Sequence, residues 1–445
     1  MNSTERANAS PFANPWIQLV IGVICMACVA NLQYGWTLFV NPIDAKYHWG
    51  RAAIQVAFTT FVLIETWLVP IEGYFVDRFG PKWVVMVGGI LVAIAWTMNS
   101  FASSLMVLYV AAAIGGIGTG CVYGTCVGNA LKWFPGRRGL AAGITAAGFG
   151  AGAAITISPI STMISSSGYE HAFLFFGLLQ GAIVFVMSWA LLVPPRSTLA
   201  TVTRATQTAH GYAPTEVLRS PVFYVMYVMF VLVASGGLMM AASMAPIARD
   251  LHIDKVPVTV LGLSGAALTL ALQLNRIFDG IGRPFFGWVS DQIGRENTMA
   301  IAFVIGAICL FTLTQIGANP TLFVLTTALY FGVFGEIYSL FPATQGDTFG
   351  AKFAAANAGM LYTAKGAGAL LVPFAAAMSV KQGWNSVFIT AMCFNLLAAF
   401  LGLVVLKPMR ARHFAASRAK YGHEEAPAAS AAPAASGGLG SGRTA

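Results

Sequence analysis

Two eight-residue stretches, GYFVDRFG at 73–80 and GWVSDQIG at 287–294, decide how this chain is built. Both have glycine, aspartate and glycine at their first, fifth and eighth positions, and the copies lie 214 residues apart. The matched pairs are Gly73 with Gly287, Asp77 with Asp291, and Gly80 with Gly294. Basic residues accompany them, Arg78 in the first copy and Arg295 after the second. One copy is compatible with a chance basic turn between helices, but two copies in register indicate a duplicated structure.

The chain around these stretches is too apolar for a water-soluble protein. It is 57% hydrophobic and 9% charged, whereas a soluble domain carries roughly 25% charged residues. Runs long enough to span a bilayer as helices cover 16–40, 53–75, 82–102, 106–130, 139–162, 171–194, 221–247, 257–287, 297–317, 320–343, 354–379 and 385–407. The sequence therefore predicts an all-α membrane protein, with twelve transmembrane helices in two pseudo-symmetric bundles of six.

These spans divide the chain into five parts. The predicted parts are an N-terminal cytoplasmic tail (1–15), a six-helix bundle (16–194), a polar linker (195–220), a second bundle (221–407) and a disordered cytoplasmic tail (408–445). The C-terminal tail is predicted to be disordered because its sequence becomes rich in alanine, proline, serine and glycine. Glu72 and Asp77 are assigned to the loop that follows the second helix.

Lysine and arginine are distributed unevenly between the loops. With both termini in the cytoplasm, 17 of the 25 basic residues lie in cytoplasmic segments and five lie in external loops. An excess of basic residues in cytoplasmic loops sets the orientation of membrane proteins. We therefore expect a multi-pass protein of the bacterial inner membrane with both termini inside. The net charge of +9 then needs no nucleic-acid partner to explain it.

The sequence carries no pattern typical of an enzyme, an ATP-driven pump or a metalloprotein. The six cysteines lie in apolar runs without metal-binding spacing, and no GxxxxGK[ST] motif occurs. The six histidines lie in predicted loops, linker or tail. We expect no enzymatic activity, no cofactor and no metal. A membrane sensor or scaffold without transport activity is a remote alternative.

Six charged residues fall inside predicted spans, where each charge costs roughly 2.5–3.5 kcal/mol on insertion scales. They are Glu65, Arg276, Asp279, Arg283, Glu336 and Lys365. Their formal charges sum to zero, so mutual neutralisation is one interpretation and a role in transport is the other. Arg276, Asp279 and Arg283 form one stripe of the eighth helix, where Asp279 can pair with either arginine. Glu65 is the 214-residue counterpart of Asp279, and we interpret both as structural or gating carboxylates.

Aromatic and polar residues accompany these charges. Helix one carries Gln33 and Tyr34, helix four carries Tyr123, and helix ten carries Phe334 and Tyr338. In helix five, Phe149 stands where helix eleven has Lys365, so the N-terminal half offers aromatic surface where the C-terminal half offers positive charge. Packing explains any one of these residues alone, but together with two cations they suit a small anion.

The same residues carry a resemblance to a known family. The paired G-x-x-x-D-x-x-G stretches resemble the signature of the major facilitator superfamily. From helix one through helix twelve, the chain also resembles the oxalate:formate antiporter family within it. The matching segments include Gln33-Tyr34-x-Trp36-Thr-Leu, Gly282-Arg283-Pro-Phe, Leu340-Phe-Pro-x-Thr and Ala364-Lys365.

This resemblance implies a substrate and a site. It implies a monomeric carrier that exchanges oxalate for formate by alternating access, with Arg283 and Lys365 holding the dicarboxylate. The surrounding cage falls on Gln33, Tyr34, Tyr123, Phe149, Phe334, Tyr338 and Tyr362. Oxalate fits because an arginine fork and a lysine point charge can neutralise its two ends.

The chain departs from the family's pattern at several positions. Aromatic substitutions occur at Phe149, Phe334 and Tyr362, and charges stand at uncharged positions in Arg276, Asp279 and Glu336. We favour a buried pair between Glu336 and Arg276, whose net stabilisation is doubtful. The alternative is that Glu336 binds a proton or competes for Lys365. Proton coupling through Glu336 or Asp279 would make the protein a proton-coupled monocarboxylate symporter.

Overall fold

The computed structural model describes residues 12–195, 207–208, 210–316 and 318–421. The N-terminal half consists of α1 (Pro15–Tyr34), α2 (Thr37–Tyr47), α3 (Arg51–Trp67), α4 (Val69–Phe79), α5 (Pro81–Ser100), α6 (Leu105–Trp133), α7 (Arg138–Ser167) and α8 (Tyr169–Ser188). A short helix, α9 (Pro214–Val217), precedes the C-terminal half.

The C-terminal half is built in the same way. Its elements are α10 (Pro221–Asp250), β1 (Pro257–Val260), β2 (Leu263–Ala266), α11 (Ala267–Ile293), α12 (Arg295–Gln315), α13 (Pro320–Phe334), α14 (Ile337–Phe349), α15 (Ala354–Ala369), α16 (Val372–Gln382), α17 (Trp384–Phe400), a π-helical turn (Leu401–Leu406) and α18 (Lys407–Tyr421). The predicted all-helical architecture is confirmed, with one small hairpin added.

Several of the predicted transmembrane spans consist of two consecutive helices separated by a break. The helices α3 and α4 are bent by 43° at Leu68, just before Pro70, which has no amide hydrogen to continue the ladder. Similar breaks separate α1 from α2, α13 from α14, and α15 from α16. Within the described chain, nine helical segments are long and apolar enough to cross a membrane, and the bent α3–α4 pair makes a tenth. The helix α11 and the α15–α16 rod occupy the other two predicted spans.

The predicted span 257–287 begins later than expected. Residues 257–266 form an antiparallel hairpin in which Val260 faces Leu263, and the helix starts at Ala267. The turn residues Leu261 and Gly262 have φ angles of 53° and 80°, the conformation of a tight two-residue hairpin turn. The apolar count alone misses this hairpin because residues 257–266 carry no charge and extend the apolar run, although Val258, Thr259 and Val260 are β-branched.

The prediction that the chain is disordered from residue 408 is wrong for its first part. Residues 407–421 form α18, whose Arg410 is buried, pairs with Glu296 and donates from Nε to Thr348 Oγ1 at 2.8 Å. The ring of Tyr421 stacks on His210 at 3.6 Å between centroids. These specific contacts order the basic start of the tail. Residues 422–445 lie outside the described residues.

The two halves meet along two equivalent seams. In one, α4 packs on α15 so closely that a Cβ atom at Gly73 would come within 2.6 Å of the backbone of Ala355. In the other, α11 packs on α7, and a Cβ atom at Gly287 would overlap the carbonyl oxygen of Gly139. Glycine at the first position of each repeated stretch therefore permits close contact between helices of opposite halves.

The aspartates of the two stretches cap helices across these seams. A carboxylate oxygen of Asp77 accepts the amide hydrogen of Ala356, in the first turn of α15, at 3.0 Å. In the same way Asp291 accepts from Leu140, in the first turn of α7, at 2.9 Å. A carboxylate at a helix N-terminus satisfies free amide hydrogens and the helix dipole. The duplication in the sequence is thus repeated in the contacts.

Glu72 and Asp77 lie in α4 and not in the loop to which they were assigned. The helix continues to Phe79, and Gly80 ends it with a φ of 86°, as Gly294 ends α11 with a φ of 96°. Glu72 is buried. Arg78 is exposed and donates to Tyr74 on its own helix.

Buried ion pairs close the same end of the molecule. Asp347 of α14 pairs with Arg138 of the N-terminal half and with Arg295, each at 2.9 Å. Lys132 pairs with Asp77 at 2.5 Å. We call this end, which holds these five residues and α18, the basic face. Because the Arg138–Asp347 pair joins the two halves there, the basic face is closed.

Candidate substrate site

A chain of aromatic rings crosses from one half of the protein to the other. Tyr123 of α6 stacks on Tyr362 of α15 with 4.6 Å between ring centroids. Edge contacts at 5.4–6.4 Å extend this pair to Phe149 and Tyr34 on one side and to Tyr338 on the other. Phe334 continues the chain, 6.0 Å from Tyr338. Three helices of the N-terminal half therefore share one cage with three of the C-terminal half.

Arg283 lies on this cage from α11 and is 2% exposed. Its guanidinium carbon lies 4.6 Å from the centroid of the Tyr338 ring, and its terminal nitrogens donate to Asp279 at 2.7 Å and to the carbonyl of Ala146 at 2.9 Å. The Nε donor has no partner in the described chain. A buried arginine with an unfilled donor has capacity for one more acceptor.

Lys365 reaches the cage from α15. Its Nζ atom lies 2.8 Å from the hydroxyl of Tyr362, 3.4 Å from a carboxylate oxygen of Glu65 and 6.0 Å from the centroid of the Tyr338 ring. The Tyr362 hydroxyl also donates to Glu65, at 3.2 Å. A buried ammonium is stabilised by such a carboxylate and hydroxyl. Each cation of the cage thus has one carboxylate partner.

The predicted stripe on α11 is present, but its members differ in exposure. Asp279 and Arg283 are buried, whereas Arg276 is exposed. The guanidinium of Arg276 lies 4.8 Å from the ring centroid of Tyr34, which belongs to the other half. Arg276 therefore lies between the halves, and its exposed side chain is on the side of the cage away from the basic face.

Comparison with known proteins identifies this architecture. A family model described as Major Facilitator Superfamily matches residues 21–279 and 258–437. The chain belongs to the Major Facilitator Superfamily. It is a multi-pass secondary transporter and not an enzyme, as the sequence predicts.

Comparison with individual relatives places the chain in a smaller family within this superfamily. The transporter is 34% identical to the oxalate:formate antiporter of Oxalobacter formigenes over 412 residues, which cover 92% of this chain and 96% of that protein. It therefore belongs to the oxalate:formate antiporter family, as the matching segments indicate. It is 25% identical to human monocarboxylate transporter 11, over 62% of this chain and 56% of that protein. The solved proton:xylose symporter XylE shares the fold, with a TM-score of 0.69 and 11% identity over 88% of this chain and 96% of that one.

Most residues predicted for the transporter's cage lie together. The rings and cations in contact are Tyr34, Tyr123, Phe149, Arg283, Phe334, Tyr338, Tyr362 and Lys365. Gln33 is half-buried, and its side-chain oxygen accepts no hydrogen bond in the described chain. Gln33 is adjacent to Tyr34 in the sequence, but its side-chain oxygen makes no described hydrogen bond to a residue of the cage.

The favoured pairing of Glu336 with Arg276 is wrong. Glu336 is 0% exposed, and neither carboxylate oxygen has a hydrogen-bond partner among the described residues. The two side chains do not meet because Arg276 faces the cleft while Glu336 lies buried at the break between α13 and α14. Asp279 instead pairs with Arg283, four residues along the same helix.

Sequence reasoning missed the ion pairs of the transporter's basic face. The sequence alone does not show that Arg138 pairs with Asp347 across the two halves, or that Lys132 pairs with Asp77 within the N-terminal half. Their only signal is a charge at the very end of an apolar run. Such a charge is normally solvated, so closure of the basic face emerges only from the structure.

Proposed function

We propose that this transporter exchanges small carboxylate anions across the bacterial inner membrane, with oxalate entering against formate. The observation that carries the proposal is that two cations share one ring, since Arg283 lies 4.6 Å and Lys365 6.0 Å from the centroid of Tyr338. A dicarboxylate along that ring would meet a cation at each end. The 34% identity to the oxalate:formate antiporter supports the choice of substrate.

Carboxylate partners give the empty cage a stable resting state. Two cations close together repel each other, and Asp279 and Glu65 neutralise them when no substrate is bound. An incoming carboxylate would use the unfilled Nε of Arg283 and take the place of Glu65 at Lys365. The hydroxyls of Tyr123 and Tyr362 would donate without adding charge.

Alternating access follows from opening one side at a time. In this structure contacts between the halves close the basic face, whereas Arg276 on the other side of the cage is exposed, so substrate would enter from the side of Arg276. Release on the other side requires the pairs between Asp347 and Arg138, and between the aspartate caps and their helices, to separate. By the excess of basic residues, we assign the basic face and both termini to the cytoplasm.

A second function, proton-coupled symport of monocarboxylates, is favoured by a separate observation. Glu336 is fully buried and unpartnered in the described chain, and an intramembrane carboxylate in such a place is a candidate proton carrier. The 25% identity to human monocarboxylate transporter 11 is consistent with this alternative. It differs from exchange in needing a pH gradient and no counter-anion.

Counterflow in proteoliposomes tests both functions. Vesicles loaded with formate, oxalate or buffer alone receive labelled oxalate outside, with and without a proton uncoupler. Exchange predicts rapid uptake that requires internal anion and ignores the uncoupler. Uptake of a labelled monocarboxylate that needs an imposed pH gradient and no internal anion would instead establish symport and overturn exchange.

A further inference from the structure

Arg276 differs from every other intramembrane charge of this transporter by its exposure. It lies seven residues before Arg283 on one stripe of α11, about 10 Å farther from the basic face at a helical rise of about 1.5 Å per residue. Arg283 is 2% exposed, whereas Arg276 is exposed. An arginine in lipid would be costly, but this side chain stacks at 4.8 Å on Tyr34 of the opposite half and so lies in the cleft.

Arg276 also has no counter-ion among the residues that the structure describes. In the described part of the chain no carboxylate lies within ion-pairing distance of its guanidinium, and Asp279, its nearest acidic neighbour on the stripe, pairs with Arg283 at 2.7 Å. Lys365 is likewise paired, with Glu65. The charge of the exposed Arg276 is therefore available to a ligand that enters between the halves. A cation in a cleft with low-dielectric walls concentrates anions from solution.

We propose that Arg276 and the ring of Tyr34 form an outer anion site, which receives a carboxylate before it reaches Arg283 and Lys365. The inference rests on the proposed function and adds a binding step to it. Contact with the Tyr34 ring places the guanidinium between the halves, where its N–H donors can bind a carboxylate. Tyr34 also contacts Phe149 at 5.4 Å, so the outer site is continuous with the cage.

If the outer site exists, loss of Arg276 should impair transport from one side of the membrane only, and the impairment should depend on salt concentration. In Arg276→Gln, we expect the KM for external oxalate to rise about tenfold at low ionic strength, with the maximal exchange rate and the KM for internal formate unchanged. Arg276→Lys should restore most of the affinity. At about 1 M potassium chloride, where the Debye length is about 3 Å, wild type and Arg276→Gln should converge.

Arg249→Gln is the matched control, because Arg249 is exposed in the last turn of α10, outside the stripe. It should leave the KM unchanged. An unchanged KM in Arg276→Gln, with the wild type exchanging normally, would overturn the outer site alone. A fall in the maximal exchange rate measured from both sides of the membrane, without rescue by Arg276→Lys, would show that Arg276 only holds the two halves together. That result would also overturn the outer site. No carboxylate exchange by the wild type would overturn the proposed function together with this inference.

Discussion

The Nζ atom of Lys365, in the C-terminal half, lies 3.4 Å from a carboxylate oxygen of Glu65, in the N-terminal half. The two side chains are 5% and 0% exposed. This ion pair joins the halves at the depth of the cage, and it engages the cation that we assign to the substrate. Glu65 is thus both a link between the bundles and a competitor for the proposed ligand.

Removing this competitor should tighten substrate binding. Without this carboxylate an incoming anion no longer has to displace Glu65 from Lys365, so Glu65→Gln should lower the KM for oxalate about fivefold, equivalent to about 1 kcal/mol. Turnover should slow, because release of the tighter-bound anion becomes harder. The kinetics of exchange in proteoliposomes measure both. Glu170→Gln, which breaks an exposed pair with Lys46, serves as the control. A higher KM in Glu65→Gln would contradict the competition.

The two aspartate caps should hold the basic face closed. Asp77→Asn and Asp291→Asn each weaken a charge-assisted hydrogen bond between halves, worth about 1.5–3 kcal/mol. We expect the distance between spin labels at Arg137 and Gln292, exposed residues of opposite halves, to shift to longer values in both variants. Arg78→Gln alters a contact within one helix and should not change that distance. Equal distances in all variants would contradict the role of the caps.

Close helix contact on the seam should be necessary for transport. Gly287→Ala places a methyl group against the carbonyl of Gly139, so we expect a correctly folded protein with exchange reduced more than about tenfold. Gly280→Ala is the control on the same helix, since a Cβ atom there would meet no described atom within 4 Å. Gly280→Ala should exchange within about twofold of wild type. Full exchange by Gly287→Ala would show that the seam is not needed.

Glu336 separates the two candidate functions. A buried carboxylate without a partner is destabilising, so the neutral Glu336→Gln should raise the thermal midpoint in detergent. If the transporter is an exchanger, this variant should retain oxalate/formate exchange within about twofold. Loss of all transport in a well-folded Glu336→Gln protein would favour the symporter.

Particular residues show what the sequence does and does not predict. The 214-residue spacing of the two stretches predicts the duplication, and the structure repeats it in Asp77 at Ala356 and Asp291 at Leu140. The length of the apolar runs predicts the helices but not the hairpin at residues 257–266, where a local turn forms in place of the first helical turns. Charge counting finds six intramembrane charges, but partners depend on how separate helices pack, so Arg276 stacks on Tyr34 and Glu336 has no described partner.

Counterflow with cation variants tests the central claim most directly. Formate-loaded vesicles carrying wild type, Arg283→Gln or Lys365→Gln receive labelled oxalate, with Lys381→Gln, which alters a lysine in the last turn of α16, as the control. The account predicts normal exchange by wild type and Lys381→Gln. It predicts that the exchange rate falls at least about 100-fold in each cage variant, because one carboxylate of the bound oxalate would have no cation in the buried site. Oxalate exchange at the wild-type rate by either Arg283→Gln or Lys365→Gln would contradict it.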